Sequence, residues 1–212
     1  KRADPVAKLV AAAGNIAEIG YDIAEALEYI HEQGVVHRDV KPSNILLVDY
    51  GNDAPRARAK LTDFGIAVSA DMDRFTAAGT TTGTAAYLSP EQAAGEPVGP
   101  PTDVYAAGLV LLQCFTRSIE YPGSVVESAV ARLARQPQIP DYLPEHWSTL
   151  LASMTARDPA RRPTARQLVS ALRQVVIAES GRHADRDAFL MAEGDAAGAA
   201  RTAVPDNTAR SP

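Results

Sequence analysis

One cysteine, Cys114, stands in 212 residues, so no internal disulfide framework exists. The four histidines, His31, His37, His146 and His183, keep no zinc-site spacing with it, which excludes a zinc fold. Basic residues are in deficit, 21 Lys and Arg against 26 Asp and Glu, for a net charge of −5 and a pI near 5.4. That balance argues against a nucleic-acid partner or a basic membrane-surface protein. Long apolar runs are lacking too. The longest, Val104 to Phe115, contains Gly108 and Gln113 and falls short of the roughly 20 residues a membrane helix needs, so no membrane span is expected. The start, Lys1-Arg2-Ala3-Asp4, leads into no apolar signal core and is expected to be a cut edge. What remains is 46% apolar residues in 22.5 kDa, enough for one domain with a core and a tail.

Ile16, Ile19, Ile23, Leu27 and Ile30 form a helical stripe over Asn15 to Gln33, with Asn15 as its cap and Gly34 as its stop. Val35-Val36, Ile45 to Val48 and Lys60 to Thr62 read as short strands, the last two joined by a polar hairpin connection, Asp49 to Ala59. Gly65 to Thr84 lacks periodicity and reads as a long loop. Asp103 to Thr116 is apolar on nearly every side, as in a helix at the centre of a domain. Ser124 with Glu127 and Thr164 with Gln167 match capping boxes. Each opens an amphipathic run: Val125, Val126, Val130 and Leu133, then Leu168, Val169, Leu172 and Val176. Trp147, Leu150, Leu151 and Met154 mark a further short helix. Gly181 to Pro212 is rich in Ala, Gly, Asp and Arg and is expected to be a flexible tail.

The segment His37-Arg38-Asp39-Val40-Lys41-Pro42-Ser43-Asn44, and Asp63-Phe64-Gly65 after the next strand, carry the chemistry. Together they resemble the catalytic loop and the magnesium-binding triplet of eukaryotic-type (Hanks-type) protein kinases. Six fixed positions within eight residues would arise by chance far less often than about one time in a million per start site. The resemblance implies ATP and Mg²⁺ as cofactors, Asp39 as catalytic base, Asn44 and Asp63 as metal ligands, and Lys41 at the γ-phosphate. Ser43 and Leu46 join the nucleotide site, Leu46 as the apolar floor under adenine. Those residue types suit the reaction. A carboxylate can accept the proton of an attacking hydroxyl, and magnesium prefers hard oxygen donors.

Further motifs extend the likeness. Gly83 to Glu91, with Thr84 and Tyr87, resembles the substrate-docking segment, Ser89 replacing the usual Ala before Pro90-Glu91. Asp103 resembles the anchor that holds the catalytic-loop backbone, and Arg162 the late arginine that pairs with Glu91. His37, Arg38, Phe64 and Gly65 would be structural. Lys41 and Thr84 mark Ser/Thr rather than Tyr substrates, and the wording of Gly83 to Gln92 looks bacterial, especially actinobacterial. A cation such as Arg38 beside the catalytic Asp calls for an anionic partner, so activation-loop phosphorylation is expected, at Thr76 by family spacing and next at Thr80, Thr81 or Thr82.

The resemblance covers residues 15–178 and implies a mainly α fold with a few short strands, the large C-terminal lobe of a protein kinase. Residues 1–14 are expected to be a linker or cut edge and 179–212 a tail. No Gly-x-Gly-x-x-Gly occurs, and Val6-Ala7-Lys8 is a poor stand-in for the lysine on the α/β-phosphates. The expectation is therefore a Ser/Thr protein kinase lobe, partnered by ATP, a protein substrate and a missing N-terminal lobe, with little transfer alone. It is expected in the cytoplasm, a membrane anchor elsewhere in a parent protein being left open. Two rival readings are a truncated, non-catalytic kinase-like interaction module and a small-molecule phosphotransferase. Members of the latter class usually lack the docking segment and the Glu91/Arg162 framework.

Overall fold

The computed structural model describes residues 16–48, 57–63 and 85–179. Helix α1, Ile16–Glu32, buries Ile19, Ile23, Leu27 and Ile30 on one stripe. Its exit depends on Gly34 at φ +73°. Gly34 N–H donates to His31 O at 3.0 Å and Val35 N–H to Ile30 O at 2.9 Å, the paired closing bonds of a left-handed helix terminus. Asn15, the expected cap, lies outside the described residues. Val35-Val36 is not a strand: Val35 is exposed, and the chain runs without ladder bonds into a 3₁₀ turn, Pro42–Asn44.

Strand β1, Ile45–Val48, pairs antiparallel with β2, Arg58–Leu61, Ile45 opposite Leu61 and Val48 opposite Arg58. The second strand begins two residues before the expected Lys60. Its start is held by α1: buried Asp22 accepts Ala59 N–H at 2.9 Å and pairs with Arg58 Nε at 2.9 Å, while Glu25 takes Arg58 Nη2 at 3.0 Å. Periodicity cannot register such a tertiary anchor.

After a 3₁₀ turn at Ala85–Tyr87 comes the short helix α2, Pro90–Ala94, opened by a Ser89/Gln92 capping box. Helix α3, Pro101–Thr116, is buried continuously from Thr102 to Cys114, as its all-round apolarity predicts. Its Gly108 faces α5, Glu145–Met154, so closely that a Cβ there would lie 2.8 Å from Thr155 Cγ2 and 3.0 Å from Met154 Cβ. Phe115 meets Trp147 edge-on at 4.9 Å across the same contact. The Thr164/Gln167 box opens α6, residues 165–179, which buries Leu168, Val169 and Leu172. Contacts divide the chain into compact units Lys1–Val175 and Val176–Pro212, and of the second only residues 176–179 are described.

Helix α4, Val125–Ala134, has its expected Ser124/Glu127 box but the opposite face inward. Val126 is 70% exposed, Val130 60% and Leu133 40%, whereas Ser128 and Arg132 are buried. The polar stripe is turned in because it binds main-chain carbonyls of the turn Ala85–Tyr87 and its exit. The tail from Gly181 and the loop Gly65 to Thr84 lie outside the described residues.

Candidate active site

The site is built on a buried carboxylate. Asp103, on the first turn of α3, accepts His37 N–H on Oδ2 at 2.8 Å and Arg38 N–H on Oδ1 at 2.7 Å. His31 Nε2 at the end of α1 adds a third contact, 2.8 Å to Oδ2. The His37 ring is buried: Asp39 N–H donates to Nδ1 at 3.3 Å, and Nε2 donates to Thr62 O at 3.1 Å, the tautomer that satisfies both. Thus α1, α3 and the end of β2 converge on one loop.

Within it, Asp39 Oδ2 receives Lys41 Nζ at 2.7 Å and Asn44 Nδ2 at 3.0 Å, and the same amide donates to Asp39 O at 2.9 Å. Asn44 is thereby oriented, its amide nitrogen spent on Asp39 and its Oδ1 approached by Ser43 Oγ at 3.4 Å. Thr62 N–H donates to Asn44 O at 2.9 Å, so Asp63 follows directly on a backbone bonded to Asn44. Asp63 is exposed, at φ +56°. Leu46, on β1, is 54% exposed. Phe64, Gly65, Thr76, Thr80, Thr81, Thr82 and Thr84 lie outside the described residues.

Two oxygen donors, Asn44 Oδ1 and the Asp63 carboxylate, on hydrogen-bonded neighbouring segments fit magnesium. That ion takes one or two protein ligands and fills its shell with water and phosphate. Among the described residues no group of three or more His, Cys, Asp and Glu side chains forms an all-protein metal cage.

Glu91, at the end of the segment expected from the resemblance to dock substrate, belongs to a second buried pair. Arg162 donates to Glu91 Oε1 at 2.6 Å and Oε2 at 2.8 Å, and Thr102 Oγ1 donates to Glu91 Oε1 at 2.7 Å. Burial alone would push the Glu91 carboxyl up, but the hydrogen bonds from Arg162 and Thr102 and the Arg162 charge hold it below the ordinary range. Arg162 also donates to Ala156, Arg157 and Pro101 carbonyls and stacks 4.8 Å from the Tyr105 ring centroid. Tyr87 OH donates to Gln113 Oε1, and Gln92 Nε2 reaches Arg38 O at 3.0 Å, tying residues 87–92 to α3 and to the loop at 37–44.

Sequence reasoning missed Gln92, Gln113, Ser128 and Arg132, all polar residues that grip main chain or side chain of this region. Gln92 had a signal, since Ser89-Pro90-Glu91-Gln92 is itself a capping box. Arg132 had none, because an arginine on the polar face of an amphipathic helix reads as solvated.

A protein kinase domain model matches residues 6–172. The serine/threonine-protein kinase PkaA of Streptomyces coelicolor is 39% identical over 165 residues, 77% of this chain and 30% of that protein. Serine/threonine-protein kinases drp72 of Corynebacterium efficiens is 38% identical over 151 residues, 68% of this chain and 28% of that one. PknA, a serine/threonine-protein kinase of Mycobacterium tuberculosis, is 35% identical over 139 residues, 65% and 31%. The chain spans less than a third of the length of each of these relatives. Among the described residues no helix is long and apolar enough to cross a membrane. Motif geometry, family match and relatives agree: the chain belongs to the protein kinase domain family and resembles its bacterial serine/threonine members.

Proposed function

We propose that this chain is the large lobe of a Ser/Thr protein kinase, transferring the γ-phosphoryl of ATP to a protein hydroxyl when a glycine-rich lid and its lysine are supplied with it. The observation that carries the reading is the convergence on Asp39: Lys41 Nζ at 2.7 Å and Asn44 Nδ2 at 3.0 Å, with Asp63 one residue beyond a backbone bond to Asn44. Asp39 takes the proton of the acceptor hydroxyl and directs its oxygen at phosphorus. Lys41, anchored on Asp39, supplies positive charge beside the transferring group. Asn44 and Asp63 would hold Mg²⁺, which when bound neutralises charge on the phosphate oxygens. Leu46, large, apolar and half exposed at the strand edge, suits one side of a purine.

Regulation follows from Arg38. Among the described residues its guanidinium has no ion-pair partner, although it neighbours Asp39 in a partly buried loop. Phosphothreonine at Thr76, or at Thr80, Thr81 or Thr82, would supply the anion and order the loop.

The test is phosphoryl transfer from labelled Mg-ATP to a Ser/Thr peptide mixture, comparing residues 1–212 alone with the same residues carrying the coding sequence upstream of Lys1. Transfer confined to the longer form and lost in Asp39→Asn supports the reading. Nucleotide-independent binding of proteins with no transfer by either form would favour the non-catalytic module. Robust transfer by residues 1–212 alone would overturn the need for a supplied lid.

A further inference from the structure

Arg132 is 1% exposed, and among the described residues no carboxylate pairs with it. Its donors go to oxygens of neutral groups. Nη1 donates to Leu88 O, Nη2 to Ala85 O at 2.5 Å and to Ser128 Oγ at 2.6 Å, and Nε to Ser128 O at 3.1 Å. Ser128 Oγ donates in turn to Ala85 O at 3.2 Å. The guanidinium also stacks 4.9 Å from the Tyr121 ring centroid. Burial pulls the guanidinium below its ordinary pKa, with the Tyr105 and Tyr121 hydroxyls opposing.

An unpaired buried cation is a poor device for stability alone, since desolvation costs more than neutral oxygens return. Its geometry shows another use. Ala85 and Leu88 bracket the turn whose Tyr87 resembles a substrate-docking residue, and the planar fork reaches the two carbonyls from two separate nitrogens in a fixed geometry that a lysine's single nitrogen lacks. Tyr87 OH is fixed from the far side by Gln113. The turn is therefore held between α3 and α4, while Glu91 and Arg162 fix only the helix that follows.

Resting on the kinase reading above, we infer that Arg132 is a positioning residue: through Ala85 O and Leu88 O it sets the turn against which the protein substrate lies. It governs peptide recognition without touching peptide or nucleotide. Helix α4 thereby acts on specificity through its inner polar face.

Two measurements on wild type, Arg132→Met, Arg132→Lys and Ser128→Ala test this. Amide exchange of residues 1–212 should speed up by roughly tenfold across 85–92 in Arg132→Met, with 37–44 and 101–114 unchanged. In the transfer-competent longer form, peptide KM should rise roughly tenfold while ATP KM stays within about twofold, and Arg132→Lys should fall between. Should Arg132→Met fail to fold, Arg132→Lys and Ser128→Ala are read on the same two scales. Exchange that speeds up equally everywhere, or not at all across 85–92, overturns the inference, as does an ATP KM that rises with the peptide KM. A wild type that phosphorylates no peptide refutes the kinase reading, and the exchange pattern then decides the positioning by itself.

Discussion

Asp103 Oδ1 accepts the Arg38 amide at 2.7 Å, and Arg38 sits at φ +66°, a left-handed conformation that non-glycine residues seldom adopt. Such backbone costs about 1 to 3 kcal/mol and persists only when its surroundings over-determine it. Here the second oxygen of the same carboxylate takes the His37 amide at 2.8 Å, so two consecutive N–H groups point into one buried anion. That bend turns the chain so that Asp39 leaves the core and faces Lys41 and Asn44. A residue 65 positions away maintains that strained conformation.

Asp103→Asn keeps the size and removes one acceptor, setting an NH2 against an N–H donor. The expected loss is about 1.5 to 3 kcal/mol for each charge-assisted hydrogen bond broken, read by urea denaturation of the chain. Amides of His37 and Arg38 should lose exchange protection first. A change under about 0.5 kcal/mol would mean that the loop bends without its anchor.

Glu91 and Arg162 form a bidentate pair in the core, and removing one partner strands the other. Arg162→Ala should therefore cost about 3 to 5 kcal/mol. The Glu91 carboxyl is held below its ordinary 4.5, so its contribution is complete above that pH and disappears as pH falls toward the depressed folded value. Stability of the wild type measured from pH 6 to 3 should show an acid loss that Glu91→Gln lacks. Parallel curves for the two proteins would remove Glu91 from the acid transition.

Asn44 uses its Nδ2 to hold Asp39, and its Oδ1, approached by Ser43 Oγ at 3.4 Å, is the atom proposed to face Mg²⁺. Asn44→Ala should raise the Mg²⁺ concentration for half-maximal transfer by about tenfold or more. It should also lower turnover at saturating Mg²⁺, because Asp39 loses its brace. Chelation of the metal should abolish transfer in both proteins. An unchanged Mg²⁺ requirement in Asn44→Ala would take Asn44 out of the metal site.

Gly108 is where α3 and α5 come closest, and its missing Cβ would meet Thr155 Cγ2 at 2.8 Å. Gly108→Ala gains about 1 kcal/mol of helix propensity. Overpacking against a well-filled contact typically costs about 1 to 3 kcal/mol, so a net loss is expected. A thermal midpoint at or above wild type would show that α5 shifts freely.

Legibility followed the physical range of each signal. The loop at 37–44 could be read because its motif is local: Asp39, Lys41 and Asn44 lie within six residues and bond to one another, whereas the Asp103 anchor that bends the loop lies 65 positions away. Helices α1 and α5 could be read because their burial follows one period over several turns, and α3 because it is apolar on nearly every side. Strand β2 was misplaced by two residues because Asp22 and Glu25, more than 30 residues earlier, decide where it starts. Val35-Val36 failed for a simpler reason: β-branched composition suits a strand, but among the described residues no strand pairs with it. Hydrophobic periodicity in α4 correctly indicated a helix and pointed to the wrong face.

That inversion yields the sharpest test of the fold. A stripe of Val126, Val130 and Leu133 in the core would lose about 2 to 4 kcal/mol on receiving a charge, as buried apolar positions do. In the structure Val130 is 60% exposed, so Val130→Lys, which also improves helix propensity, should change stability by less than about 0.5 kcal/mol. Ser128→Val, the opposite exchange on the inner face, should destabilise, because Ala85 O and Arg132 Nη2 both lose a partner. Measured together by urea denaturation, the two variants separate the faces. A large loss in Val130→Lys with a neutral Ser128→Val would show that α4 lies with its apolar side inward, and the grip of Arg132 on Ala85 and Leu88 would then be lost as well.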